Sequence, residues 1–146
     1  MSLEENKAVV RKFIEAYNKH DLSSIEDFVA PDFVDHTHKG GREGLKQLFA
    51  MAFKAFPDWH ETIEDIIAEG DKVWVRVTTT ATHKGEWQGQ APTGKKLKSE
   101  MVDIYRIVNG KHVEGRFVTD SLAFLKQLGA IEYTEQGKKL FPEDAK

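Results

Sequence analysis

Cysteine is absent from all 146 residues. That excludes a disulfide framework, thiol nucleophiles and cysteine-ligated zinc, and it fits a reducing cytoplasm, the location expected here. Basic charge is also short. The 21 Lys and Arg are outnumbered by 24 Asp and Glu, giving a formal net charge of −3, without the basic face that nucleic acid requires. Lys95, Lys96 and Lys98 form too short a cluster to change this and read as a solvated turn. No apolar run approaches a membrane span, and the charged, amphipathic start MSLEENKAVVRKF has no signal-peptide core. Nucleic acid and membrane are therefore not expected partners. Chemical signatures are missing too: there is no G-x-x-x-x-G-K-[ST], no G-x-S-x-G elbow and no H-E-x-x-H.

What is present is clear periodicity. Val9, Val10, Phe13, Ile14 and Tyr17 recur three and four apart, as on one face of an amphipathic helix. Asp21 reads as the N-cap of a short second helix, LSSIEDFVA, stopped by Pro31. DFVDHTHK reads as extended. Gly40 and Gly41 open a third helix with a broad apolar stripe from Leu45 to Phe56, closed by Pro57. Two hairpins follow, around Glu69–Asp71 and around Asn109-Gly110, the strongest short hairpin dipeptide. A Gly/Pro-rich loop, GEWQGQAPTGK, joins them. After Asp120, Leu122, Phe124, Leu125 and Leu128 form a short helix ended by Gly129. Residues from about 130 to 146 read as a loosely held tail.

Helices first and long strands afterwards argue an α+β domain. The expected architecture is a cone-shaped, half-open barrel: a curved antiparallel sheet with helices packed on its concave face. No linker divides the chain, so residues 1–146 are expected to form one domain with a pocket between sheet and helices.

Strand parity nominates pocket residues. Glu114, Arg116 and Val118 share one face, and Asp120 continues it. Met101, Asp103 and Tyr105 share another, and Trp74 and Arg76 a third. Asp120 has two readings. It is an N-cap for SLAFLKQL, or it is a general acid/base whose pKa an apolar pocket would raise. In DHTH, His36 and His38 have the spacing that puts two imidazoles on one strand face. A metal would need a third ligand such as His83 or Asp103; with no helical or cysteine carrier, no metal is expected. His83 either donates to a substrate carbonyl or is a strand-end histidine tied to backbone.

Several stretches together resemble the SnoaL-like polyketide cyclase group of the nuclear-transport-factor-2-like superfamily. They are RKFIEAYNKHDLSSIEDFVAPDFVDH, GREGLKQLFAMAFKAFPDW, EGDKVWVRVTTTATHKGEWQGQAPTGKK and DIYRIVNGKHVEGRFVTDSLAFLKQLG. The resemblance implies a cofactor-free enzyme, dimeric or larger, acting on a small hydrophobic carbonyl compound by aldol-type cyclisation or isomerisation. Asp120 falls on the family's acid/base aspartate, His83 on the His of its Thr-His-x-Gly motif, and His36 on a histidine of many relatives. Arg116, Asp103, Glu114, Tyr105, Trp74 and Trp87 are the expected substrate-binding residues. Arg116 stands where many relatives carry Trp, so the pocket is expected to be unusually charged. The alternative is a non-catalytic small-molecule-binding or dimerisation module of the same fold, with Asp120 serving only as a cap.

Overall fold

A computed structural model describes residues 2–142. Helix α1 (Leu3–Asn18) opens with a reciprocal cap: the Ser2 hydroxyl accepts from Glu5 N–H, and the Glu5 carboxylate accepts from Ser2 N–H. Its apolar face, Val10, Phe13, Ile14 and Tyr17, is buried. The second helix differs from expectation. Helix α2 (Ser24–Phe28) stops at Phe28, and Pro31 lies inside strand β1 (Val29–Asp35). An edge strand tolerates proline because one side of its backbone has no ladder to complete. Asp21 is not the cap; its Oδ1 accepts from both the N–H and the hydroxyl of Ser23, folding the turn ahead of the helix. Helix α3 (Gly41–Ala55) follows as expected.

Strands β2 (His60–Glu69), β3 (Lys72–Thr82), β4 (Lys96–Val108) and β5 (Lys111–Thr119) form the two hairpins. At the second turn Asn109 and Gly110 have φ of 50° and 75°, the left-handed pair that a tight hairpin needs and Asn-Gly supplies cheaply. The sheet is curved and unclosed, ordered β1-β5-β4-β3-β2. It is antiparallel except at one edge, where β1 runs parallel to β5. Helices α1 and α3 pack across it, α1 on β2 and β3 and α3 beside β1. The chain continues through α4 (Ser121–Leu128) to α5 (Glu135–Leu140), with Gly129 in the left-handed conformation ending α4. The expected loose tail thus contains a capped helical turn, with the Tyr133 and Phe141 rings stacked 5.2 Å apart; residues 143–146 lie outside the described residues. Among the described residues no helix is long and apolar enough to cross a membrane.

Register decides which side chains face the helices. Asp103 sits opposite Phe117, Met101 opposite Thr119 and Tyr105 opposite Gly115. Opposed residues share a face, so β5 turns Gly115, Phe117 and Thr119 inward beside Asp103. Glu114, Arg116 and Val118 face outward, which corrects the expectation that they line the pocket. Trp74 faces outward as well, opposite Ile104 and 48% exposed. The loop between the hairpins is tied to the end of α3: Lys84 and Gly85 both donate to the Ala55 carbonyl. A Cβ on Gly85 would stand 2.6 Å from the Lys54 carbonyl oxygen, so only glycine permits this contact.

Candidate active site

The concave face of the sheet and helices α1, α3 and α4 enclose a cavity of about 260 Å³. Tyr17, Phe49 and Phe124 line it from the helices, Trp59 and Trp87 from the connections. Strands β2, β4 and β5 contribute Glu61, Asp103, Tyr105 and Phe117. The aromatic wall is continuous: Tyr17 meets Phe49 edge-on at 4.6 Å, and Tyr105 meets Phe117 edge-on at 5.8 Å. Among the described residues no Lys or Arg lines the cavity.

Two carboxylates stand in this wall. Glu61 is 8% exposed and Asp103 3%. The indole N–H of Trp59 reaches Glu61 at 3.4 Å, and the Tyr105 hydroxyl reaches Asp103 Oδ2 at 3.3 Å. Asp103 Oδ1 is buried with no partner among the described residues. Burial pushes the Glu61 pKa up to about 7, against the lowering effect of the Trp59 bond. Burial also raises Asp103 well above the ordinary carboxylate range, with the Glu61 charge adding to it. Tyr17 and Tyr105 are raised by burial and by the same two carboxylates, so both remain phenols. With no Lys or Arg among the described residues of the wall to offset two negative charges, the Glu61–Asp103 pair keeps at least one proton at neutral pH.

The sequence-nominated residues divide between this cavity and other places. Asp103, Tyr105 and Trp87 line it. Asp120 does not. It is the N-cap of α4, and its Oδ1 accepts from Ala123 N–H at 3.1 Å; its neighbours Thr119 and Ser121 reach the cavity wall, and Asp120 itself does not. His83 is fully buried but lines no part of the cavity. Its Nδ1 meets the Thr93 hydroxyl at 3.0 Å and accepts from Thr93 N–H at 3.2 Å, so it organises the loop. His36 faces a smaller hollow of about 110 Å³ on the outer side of the sheet, shared with Arg106, Glu114 and Arg116. There Glu114 pairs with His36 and Arg106, both at 3.3 Å. Arg116 is exposed and, among the described residues, joined by no ion pair to Asp120, Asp103 or Glu114. Trp74 lies on the exposed outer face.

Sequence reasoning overlooked Glu61, Tyr17 and Trp59 as site residues, and it weighed His38 only beside His36 in the DHTH motif. Tyr17 was legible as a core position on α1. Glu61 was hidden by an irregularity in β2, where the register shifts between Ile63 and Asp65. Counting back from the inward Ile66 and Ala68 therefore puts Glu61 on the wrong face.

A half-open α+β cone around an apolar cavity, with titratable groups set into its wall, is the architecture of the nuclear-transport-factor-2-like class. Within that class, the SnoaL-like polyketide cyclase pattern matches residues 7–128, and the chain belongs to this family. Aklanonic acid methyl ester cyclase AcmA of Streptomyces galilaeus is 28% identical over 134 residues, covering 87% of this chain and 92% of the relative. Among solved structures, AclR of Streptomyces galilaeus, a proposed hydroxylase, is 35% identical with a TM-score of 0.83, covering 90% of this chain and all of its own. IdmH of Streptomyces antibioticus, a proposed polyketide cyclase, is 29% identical with a TM-score of 0.76 over 85% of this chain and 98% of its own.

Proposed function

We propose that this protein is a cofactor-independent enzyme that binds a neutral carbonyl compound in the cavity and exchanges a proton on the carbon beside the carbonyl. The observation that carries this reading is Asp103: a buried carboxyl in an apolar wall that, among the described residues, holds no Lys or Arg and leaves one of its oxygens unpartnered. Held protonated, it is a hydrogen-bond donor to a carbonyl oxygen and to the enolate that follows. Such a donor gains strength as negative charge grows on that oxygen in a water-poor site. The acid/base aspartate of this reading is therefore Asp103, and Asp120 serves as a helix cap. Among the possible outcomes of an enolate, aldol-type cyclisation is favoured by the relatives, four of which are methyl ester cyclases.

The same reading has the chain acting as one domain in the cytoplasm, as a homodimer or larger. The exposed Ile67, Trp74 and Val118 on the sheet support self-association.

Hydrogen–deuterium exchange of 2-tetralone in D₂O, followed by mass spectrometry, tests the chemistry. The wild type is expected to accelerate exchange above background. Asp103→Leu keeps the branched shape of the side chain and removes the donor together with the acceptor for the Tyr105 hydroxyl, so it should lower the rate about 100-fold with an unchanged circular dichroism spectrum. Equal rates for the two proteins would overturn the assignment.

A further inference from the structure

An enolate needs a base for the carbon-bound proton, and the cavity mouth contains one. His38 follows β1 and lines the cavity. Its Nδ1 lies 3.0 Å from Asp35 Oδ2, and the Asp35 side chain is 1% exposed. The other oxygen, Oδ1, accepts from the N–H groups of Thr37 and His38, both at 2.8 Å. A carboxylate so anchored has no hydrogen to give, so His38 carries its hydrogen on Nδ1. In the neutral ring the lone pair then sits on Nε2, which has no protein partner among the described residues.

The imidazole is also fixed in place from the sheet. The Thr37 hydroxyl accepts from Phe117 N–H at 2.8 Å and donates to the Phe117 carbonyl at 3.3 Å. His36 N–H donates to the Gly115 carbonyl at 2.9 Å. His38 then rests against the Phe117 ring, centroids 5.5 Å apart, and Phe117 is the cross-strand partner of Asp103. A flat ligand lying along Phe117 would reach from one group to the other.

Building on the proton-exchange reading above, we propose that His38 is the catalytic base, with Asp35 as the residue that positions it. Nε2 takes the proton from the carbon beside the carbonyl. The C–H electron pair becomes the enolate double bond, and the carbonyl electrons move to the oxygen held by Asp103. In a cyclisation the enolate carbon then bonds to a second carbonyl carbon of the same molecule. That carbonyl's oxygen takes the proton back from Nε2, so no oxidant, reductant or metal enters the balance.

Two measurements test the assignment separately. Imidazole ¹H–¹⁵N correlation spectra should show the neutral His38 ring protonated on Nδ1. Asp35→Asn, which can still accept the loop N–H bonds but offers an amide hydrogen to the ring, should reverse the tautomer. Addition of 2-naphthol, an aromatic mimic of an enol, should shift the His38 Hε1 resonance by ring current and leave His36 unmoved. A wild-type ring protonated on Nε2, or an Hε1 signal indifferent to 2-naphthol, overturns the proposal without reference to activity. In the 2-tetralone assay, His38→Gln and Asp35→Asn should each lose at least about 100-fold in rate while 2-naphthol still binds. Full activity in His38→Gln rejects His38 as the base and leaves Asp103 standing. No exchange by the wild type rejects the proton-exchange reading and with it the base, whatever the spectra show.

Discussion

At the scale of single residues, burial sets how stability responds to pH. His112 is fully buried, stacked on Tyr105 at 4.2 Å and edge-on to Phe13 at 4.7 Å, and neither ring nitrogen has a partner among the described residues. Burial lowers its pKa to about 3 from an ordinary 6.5. The unfolded chain therefore binds a proton that the folded chain refuses, and stability falls as pH drops from about 6.5 toward 3. Glu61 acts in the opposite sense. Its pKa is raised from 4.5 to about 7, so stability present below 4.5 is lost as pH rises through about 7. Two outcomes follow for urea denaturation. His112→Phe should flatten the loss of stability between pH 6.5 and 4. Glu61→Gln should be near neutral at pH 4.5 and gain roughly 3 kcal/mol over the wild type at pH 8. Neither residue announced itself in the sequence. His112 had no companions to single it out, and the β2 register shift concealed Glu61. Asp103 was legible because β4 alternates without interruption.

Among the elements, α4 shows what local sequence reveals and where it stops. The pattern DSLAFLKQLG predicted both ends of the helix, Asp120 at its start and Gly129 at its finish, and both are observed. The same parity argument extended one strand back placed Arg116 and Glu114 in the pocket. It failed because alternation tells which residues share a face but not which face is inside. The partner strand decides that, and β4 pairs Asp103 with Phe117 rather than with Arg116. The cap and catalytic readings of Asp120 make different predictions. Asp120→Ala should cost about 1 kcal/mol by thermal denaturation, through the lost bond to Ala123 N–H. Asp120→Asn should retain most of that stability and exchange 2-tetralone at the wild-type rate. A rate loss confined to Asp120→Asn would return the aspartate to the chemistry.

For the whole molecule, the α+β cone was legible from element order, whereas the charge of its interior was not. Lys and Arg total 21, yet among the described residues none lines the cavity. They gather instead in surface networks such as Arg76 with Asp65 and Glu100. An interior with two carboxylates and, among the described residues, no Lys or Arg should select against anionic ligands. Methyl 2-naphthoate should bind about 100-fold more tightly than 2-naphthoate at pH 8, read by quenching of Trp59 and Trp87 fluorescence. The parallel edge of the sheet adds a consequence in time. Thr37 and Phe117 are 80 residues apart in the chain, whereas the β2–β3 and β4–β5 hairpins close over a few. Contacts between distant residues carry the larger loop-closure cost, so the hairpins should zip first and β1 should dock late in folding. In pulse-labelling during refolding, the Phe117 amide should gain protection after those of Val75 and Asp103. The wall that carries Asp35 and His38 would then be the last piece installed, and refolding chains would recover their sheet before they recover any chemistry.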